Sequence, residues 1–412
     1  MGEQEKLMSD RGQQKSLVAN GSGEQDSVRC DEKNATFEHP HGQCAPPLAG
    51  REPRFLNIDN SDLYHTLRRS MATRNFSVPE DARWPAADLK NPTNKLKAIA
   101  RLMPDPTEIE PFLPEHGIAE WQERAHEYVC VMDDLTADVL DVISAEWLKQ
   151  VSHPESMVVL TADDFLRHRG INPKKGGTGR RGGYHNHLRQ EVARHIDVLA
   201  STWIRVFERT ITEIAEGKKG AYRKRTKWAG ESRAIVVSSR VGPVTPSGDV
   251  EPRAWKIRPG DVFARFLFGP GRQTALISQK ALHYDPYRQQ WEKRITRFLA
   301  YIWRIRRARN DYLAPISVGA LLQGAGLQVC KRNPKKTRAR MEKALDLLSQ
   351  DGVIRYWRYV QQVTERPAGR KGWLENWVSS RIQIEPPQEI MEQYRKMNHT
   401  LTGKKAPLAS GK

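Results

Sequence analysis

The chain has 412 residues, with 67 Lys and Arg against 49 Asp and Glu, a formal net charge of +18. No stretch approaches the ~18 consecutive apolar residues of a membrane span. The first 30 residues hold no secretory apolar run, and Cys30, Cys44, Cys130 and Cys330 are too scattered for a disulfide framework. These counts exclude a membrane protein and a small secreted scaffold, fit a reducing cytoplasmic setting, and favour a polyanionic partner.

Residues 1–50 are rich in Gln, Ser, Gly and charge without periodicity and read as a disordered tail. Cys30, His39, His41 and Cys44 lie within it, but their spacing matches no common zinc knuckle, so no metal or other cofactor is expected. Residues 51–130 hold many prolines and read as a leader of extended chain with short helices. From Asp134 the pattern sharpens. Leu135, Val139, Val142, Ile143 and Trp147 recur at helical spacing and predict an amphipathic helix over 134–150. Met157–Leu160 reads as a strand. Thr161-Ala-Asp-Asp is an N-cap signature for a short helix that Gly170 stops. A glycine-rich basic loop at 172–184 leads to a helix near 186–201. Trp203–Phe207 and Ile235–Val237 then read as the strands of a hairpin with a basic tip.

The pattern returns later. Trp291, Ile295, Phe298, Ile302 and Ile305 predict a helix over 288–309. Ser317 to Gly326 brackets a short helix, and Met341, Ala344, Leu345 and Leu348 predict a third, closed by Asp351-Gly352. Val353–Val360 reads as a strand, Thr364–Gly372 as a basic turn and Trp377–Ile384 as a return strand. Both halves run in the order of a winged helix-turn-helix, an internal repeat of about 150 residues. The expected fold is α+β, with two tandem winged-helix domains at 131–260 and 270–390 and a basic tail at 391–412.

The positive charge is blocked rather than diffuse: net +11 over 167–227, +7 over 288–309 and +6 over 331–343. The blocks point to nucleic acid, against the plainer reading of solvated helix faces. A helix in the major groove needs one apolar face and one polar face. In the first unit Asn186, Gln190 and Arg194 share a face opposite Leu188, Val192 and Leu199. In the second, Lys335, Lys336, Arg340 and Lys343 lie away from Met341, Leu345 and Leu348. Asn and Gln can pair bidentately with adenine, and Arg with guanine. Lys218, Lys219, Arg223, Lys224, Arg225 and Lys227 fit a wing against phosphates. Arg180 and Arg181 of the glycine loop could grip one more. That loop has no terminal Gly-Lys-Ser/Thr and is not a P-loop.

His185-Asn186-His187 spells a nuclease motif in letters only. A ββα-metal site spreads its residues over about thirty positions, and a nickase wants two histidines around an apolar residue on a strand. Tyr284 and Tyr287 are not joined by the Arg and His-x-x-Arg series of a tyrosine recombinase. No acid cluster is placed for two-metal chemistry, so a non-enzymatic protein is expected.

With Arg180-Arg-Gly-Gly-Tyr184, Asp285-Pro-Tyr287, Leu345-Asp-Leu-Leu-Ser-Gln-Asp-Gly352 and two similar units over about 60% of the chain, the sequence resembles the tandem winged-helix replication initiators of theta-replicating bacterial plasmids. The resemblance implies that residues near 186–194 and 335–343 enter successive major grooves of repeated origin sites. It implies monomers that load on the repeats, homodimers that repress, DNA melting or bending, and recruitment of the host replicative helicase or its loader. A transcriptional regulator built from the same units and a DNA-nicking enzyme of a mobile element remain as alternatives. The long 1–130 leader and the glycine-rich loop depart from the family pattern.

Overall fold

The computed structural model describes residues 54–90, 94–177, 182–217, 220–267, 273–360 and 372–402. The predicted tail with Cys30, His39, His41 and Cys44 lies outside them. So do Arg180, Arg181, Lys218, Lys219, most of the 364–372 turn and the end of the basic tail. Helices and small antiparallel sheets make an α+β fold. Glu52–Lys412 forms one compact unit around two hydrophobic cores.

The first elements are β1 (Phe55–Asp59), α1 (Asp62–Ala72), β2 (Ala86–Lys90), β3 (Leu96–Leu102) and α2 (Glu115–Val131). Then come α3 (Asp134–Gln150), β4 (Val158–Thr161), α4 (Ala162–His168), α5 (Asn186–Ala200), β5 (Thr202–Gly217), β6 (Gly220–Arg233), β7 (Ile235–Val241) and β8 (Ala254–Pro259). Next are α6 (Asp261–Leu267), β9 (Thr274–Ser278), α7 (Lys280–His283), α8 (Gln290–Arg307), β10 (Ile316–Ser317), α9 (Val318–Gly324) and α10 (Pro334–Gln350). The last are β11 (Tyr356–Tyr359), α11 (Trp373–Ser379), β12 (Arg381–Glu385) and α12 (Gln388–Thr402).

From α3 to β8, and again from α8 to β12, the chain shares a frame of long helix, short strand, seven-residue helix, long helix and two further strands of a three-stranded sheet, interrupted by β5 and β6 after α5 in the first stretch and by α11 between β11 and β12 in the second. The sheets run β4-β8-β7 and β10-β12-β11, so in each the last strand lies in the middle. The short helices also begin and end alike. The Asp164 amide donates to Thr161 Oγ1 at 3.2 Å, and the Ala320 amide donates to Ser317 Oγ at 3.1 Å. Each hydroxyl satisfies a helix-end N–H that has no intrahelical partner. Beyond the helix ends stand Gly170 at φ +69° and Gly326 at φ +67°, the left-handed conformation that reverses the chain.

Five expectations change. The basic hairpin is not built from 203–207 and 235–237. β5 pairs with β6 in a register that runs to Gly217 opposite Gly220, and both join β2 and β3 in a separate sheet ordered β2-β3-β5-β6. Ile235–Val237 instead opens β7, which pairs with β8. The turn inside the sheet beside α5 is therefore 242–253. Hydrophobic patterning missed the long strands because charged and Thr residues fill half of their positions.

The 51–130 stretch is not a leader outside the core. Leu67 and Met71 of α1, and Ala98, Ala100 and Leu102 of β3, are fully buried in the first core, and β1 pairs with β9 from the far side of the sequence. The predicted 377–384 return strand is divided between α11 and β12. Part of the predicted basic tail is α12, whose Tyr394 is buried and accepts from the Leu276 amide at 3.1 Å.

The last change concerns α3. It is not amphipathic: every residue from Asp134 to Trp147 is buried. Its acids face the bases of α8. Arg297 reaches Asp134 at 2.8 Å and Asp141 at 3.1 Å and also pairs with Asp138. Lys293 reaches Asp138 at 2.9 Å, Arg294 reaches Asp134 at 2.8 Å, and Arg68 of α1 reaches Asp141 at 2.7 Å. Six of the eight basic residues in the 288–309 block thus neutralise internal carboxylates or lie partly buried, which leaves Arg288 and Arg309 exposed.

Candidate nucleic-acid interface

Helix α5 presents Val192, Ile196 and Leu199 to the core, all fully buried. His195 is buried beside them, with Nδ1 2.9 Å from Thr136 Oγ1, and its pKa is lowered to about 3, chiefly by burial. Asn186, Gln190 and Arg194 stand on the opposite side and are exposed. A bidentate pair fixes the helix to α4: Arg189 Nε donates to Asp163 Oδ1 at 2.6 Å and Nη2 to Oδ2 at 2.8 Å. That pairing holds the Asp163 carboxyl below its ordinary range.

The exposed amides are not idle. Asn186 Nδ2 and Gln190 Nε2 donate to Glu251 Oε1 at 2.6 and 2.8 Å, and Arg253 Nη2 donates to Asn186 Oδ1 at 3.3 Å. Glu251 and Arg253 come from the 242–253 turn. Sequence reasoning missed both because the contact closes a gap of more than sixty residues.

Helix α10 begins with Pro334 behind Asn333, whose Oδ1 accepts from the Lys336 amide at 3.0 Å. Thr337, Met341, Ala344, Leu345 and Leu348 are buried, as the spacing predicts. Lys335, Lys336, Arg340 and Lys343 are exposed. Arg340 places Cζ 5.4 Å from the Trp291 ring centroid, a cation–π distance. Lys336, Arg340 and Trp291 line a cleft of about 630 Å³ together with Arg74, Arg294 and Cys330.

On the hairpin, Arg223, Lys224 and Arg225 sit on β6 opposite Ile214, Glu213 and Thr212. Lys227 is exposed and pairs with Glu208 at 3.1 Å. These residues belong to the β2-β3-β5-β6 sheet, not to the sheet beside α5.

His185 and His187 open α5, both exposed, with ring centroids 5.2 Å apart. The charge of Lys174 lowers the His185 pKa. Tyr284 is buried and donates to Asp351 at 2.8 Å, and burial with that carboxylate raises its pKa. Tyr287 donates to Glu191 of α5 at 3.3 Å. Among the described residues no three or more His, Cys, Asp or Glu side chains are grouped to hold a metal ion, and no helix is long and apolar enough to cross a membrane.

No protein-family model matches the sequence, and no curated protein matches it. Among solved structures the chain is similar to a crystal structure of domains 2 and 3 of RctB, at 12% identity and a TM-score of 0.35, over 78% of this chain and 98% of that one.

Proposed function

We propose that this chain is a sequence-specific double-stranded DNA-binding protein whose α3–β8 and α8–β12 stretches act as two winged helix-turn-helix units. One observation carries the reading. Two stretches of the same topology each hold a third helix by an apolar face, and each leaves Asn, Gln, Arg or Lys side chains exposed on the other side. Such a helix fits a major groove, and phosphate contacts from surrounding cations fix its register.

Two units in tandem suit repeated sites. We place the activity at replication initiation on repeats of a plasmid-type origin, acting through binding and through recruitment of the host helicase, without chemistry of its own. Regulation of transcription by the same units is the second reading. Direct repeats beside an AT-rich tract near the gene favour initiation, whereas a single inverted repeat at a promoter favours regulation.

The experiment is retention of random-sequence duplexes by the full chain at two salt concentrations. Selective retention is expected, weakening ~10³–10⁵-fold between 50 and 200 mM salt if about six to ten phosphates are contacted. Failure to retain any duplex, or retention indifferent to salt, overturns the reading. Relaxation of supercoiled DNA with Mg²⁺ that disappears in a His185→Ala/His187→Ala variant overturns its non-enzymatic part.

A further inference from the structure

The polar cluster at the start of α5 alters what that helix can read, given the duplex-binding role proposed above. Asn186 and Gln190 both direct their NH2 groups to Glu251 Oε1. A carboxylate has acceptors only, so each amide must turn its nitrogen toward Glu251 and its carbonyl oxygen away. Asn186 Oδ1 then accepts from Arg253, whose Nη2 also lies 3.6 Å from Glu251 Oε2. The donated amide hydrogens hold the Glu251 carboxyl below its ordinary range and keep it ionised at neutral pH.

The turn that carries Glu251 is built to place it. Its amide donates to the Pro243 carbonyl at 2.8 Å, and Val244 bridges Val250 just above. At the base of the turn, a Cβ on Gly242 would lie 1.7 Å from the Glu251 carbonyl oxygen, so only glycine allows the two strands to approach this closely.

An unencumbered Asn or Gln reads adenine by donating to N7 and accepting from N6. Here one N–H of each amide is already given to Glu251, and Asn186 Oδ1 is taken by Arg253. Beside the second N–H of each amide, the cluster offers a duplex two acceptors, the partly exposed Glu251 carboxylate and the Gln190 carbonyl oxygen. Adenine answers with N7 beside its amino group, guanine with N7 and O6, and thymine with O4, each placing an acceptor against an anion. Cytosine alone shows the major groove an amino donor with no acceptor on its own edge.

We propose that Glu251 is a specificity-determining residue, converting Asn186 and Gln190 from an adenine-reading pair into part of an acceptor surface that selects cytosine. Arg253 holds the geometry, and the 242–253 turn reads beside the helix as well as supporting it.

The test is selection from random-sequence duplexes with the full wild-type chain, Glu251→Gln and Glu251→Ala, with thermal melting of all three in parallel. In wild-type sites one position retains cytosine. In Glu251→Gln its preference falls about tenfold, and in Glu251→Ala it moves to adenine as the two amides are released, with the other positions unchanged. Wild-type sites that persist unaltered in both variants, or a loss of affinity uniform over all sequences in variants that melt with the wild type, overturn the assignment while leaving duplex recognition standing. A wild-type chain that retains no duplex overturns both.

Discussion

Replacing Lys293 by Met is a direct probe of the ionic layer between α3 and α8. Lys293 is completely buried, and Nζ donates to the carbonyls of Ala281, Leu282 and Tyr284 at 2.7, 3.2 and 2.8 Å while pairing with Asp138 at 2.9 Å. Methionine has similar length and removes only the charge and the donors. Breaking one side of a buried pair costs ~3–5 kcal/mol. For a unit of about 360 residues the unfolding entropy is ~0.75 kcal/mol per degree, so the melting temperature should drop by ~4–7 °C. Burial already raises the Asp138 carboxyl, and losing Lys293 raises it further. A carboxyl with a raised folded pKa binds its proton more tightly folded than unfolded. Its contribution is complete below the unfolded carboxylate pKa and is lost as pH rises toward the folded one. The variant should therefore lose more stability at pH 8 than at pH 5. Calorimetry at both pH values reads this, with Asp138→Leu/Lys293→Met as the partner variant that removes the carboxylate left with Arg297 as its ion-pair partner and recovers part of the loss. A drop below ~1 °C, or a double variant no more stable than the single, would refute the claim that a desolvated pair joins these helices.

Arg194→Ala and Arg340→Ala should each relax base preference at one position, costing ~1–3 kcal/mol where the guanidinium makes a bidentate contact. Lys224→Ala should weaken all sequences alike, and competition with matched and scrambled duplexes separates the two behaviours. Because Lys174 depresses the His185 pKa, the imidazole gains its positive charge only below the ordinary histidine range. Duplex affinity should therefore rise as pH falls below the ordinary histidine range, and the rise should vanish in His185→Ala/His187→Ala. Gly326→Ala forces a left-handed backbone on alanine and sets its Cβ 2.9 Å from Arg69 and Thr73 side-chain carbons. A loss of at least ~1–2 kcal/mol should appear in urea melts, whereas an unchanged midpoint would mean that the turn relaxes.

Local signals in the sequence were reliable where the physics is local. Thr161 and Ser317 start their helices and Gly170 and Gly326 end them, because a cap and a left-handed turn depend on neighbours within a few positions. The cores of α5 and α10 were legible for the same reason: helical spacing alone decides which side is apolar. Long-range pairing was not legible. Asp134, Asp138 and Asp141 step by four and three along α3, but nothing near them names their partners, which lie about 160 residues away on α8. Glu251 was equally silent, an acid in a turn until α5 is laid beside it.

The same contrast bears on how the net charge should be used. The +7 block at 288–309 looked equivalent to the other two. Yet Lys293, Arg294 and Arg297 are held by α3 carboxylates, Arg304 and Arg306 are half-buried, and Arg307 lies over the Tyr394 ring. Only Arg288 and Arg309 of that block are exposed. A cation whose charge is already matched inside the protein releases no counterion from DNA. Each phosphate truly neutralised contributes ~0.9 to the slope of log affinity against log salt. Neutralising Arg288 and Arg309 together can therefore flatten that slope by no more than ~1.8, although the block counts +7, while Lys335→Ala/Lys336→Ala/Lys343→Ala should flatten it by up to ~2.7. Flattening by more than ~1.8 in the Arg288/Arg309 variant would mean that cations counted here as internally matched also reach phosphates.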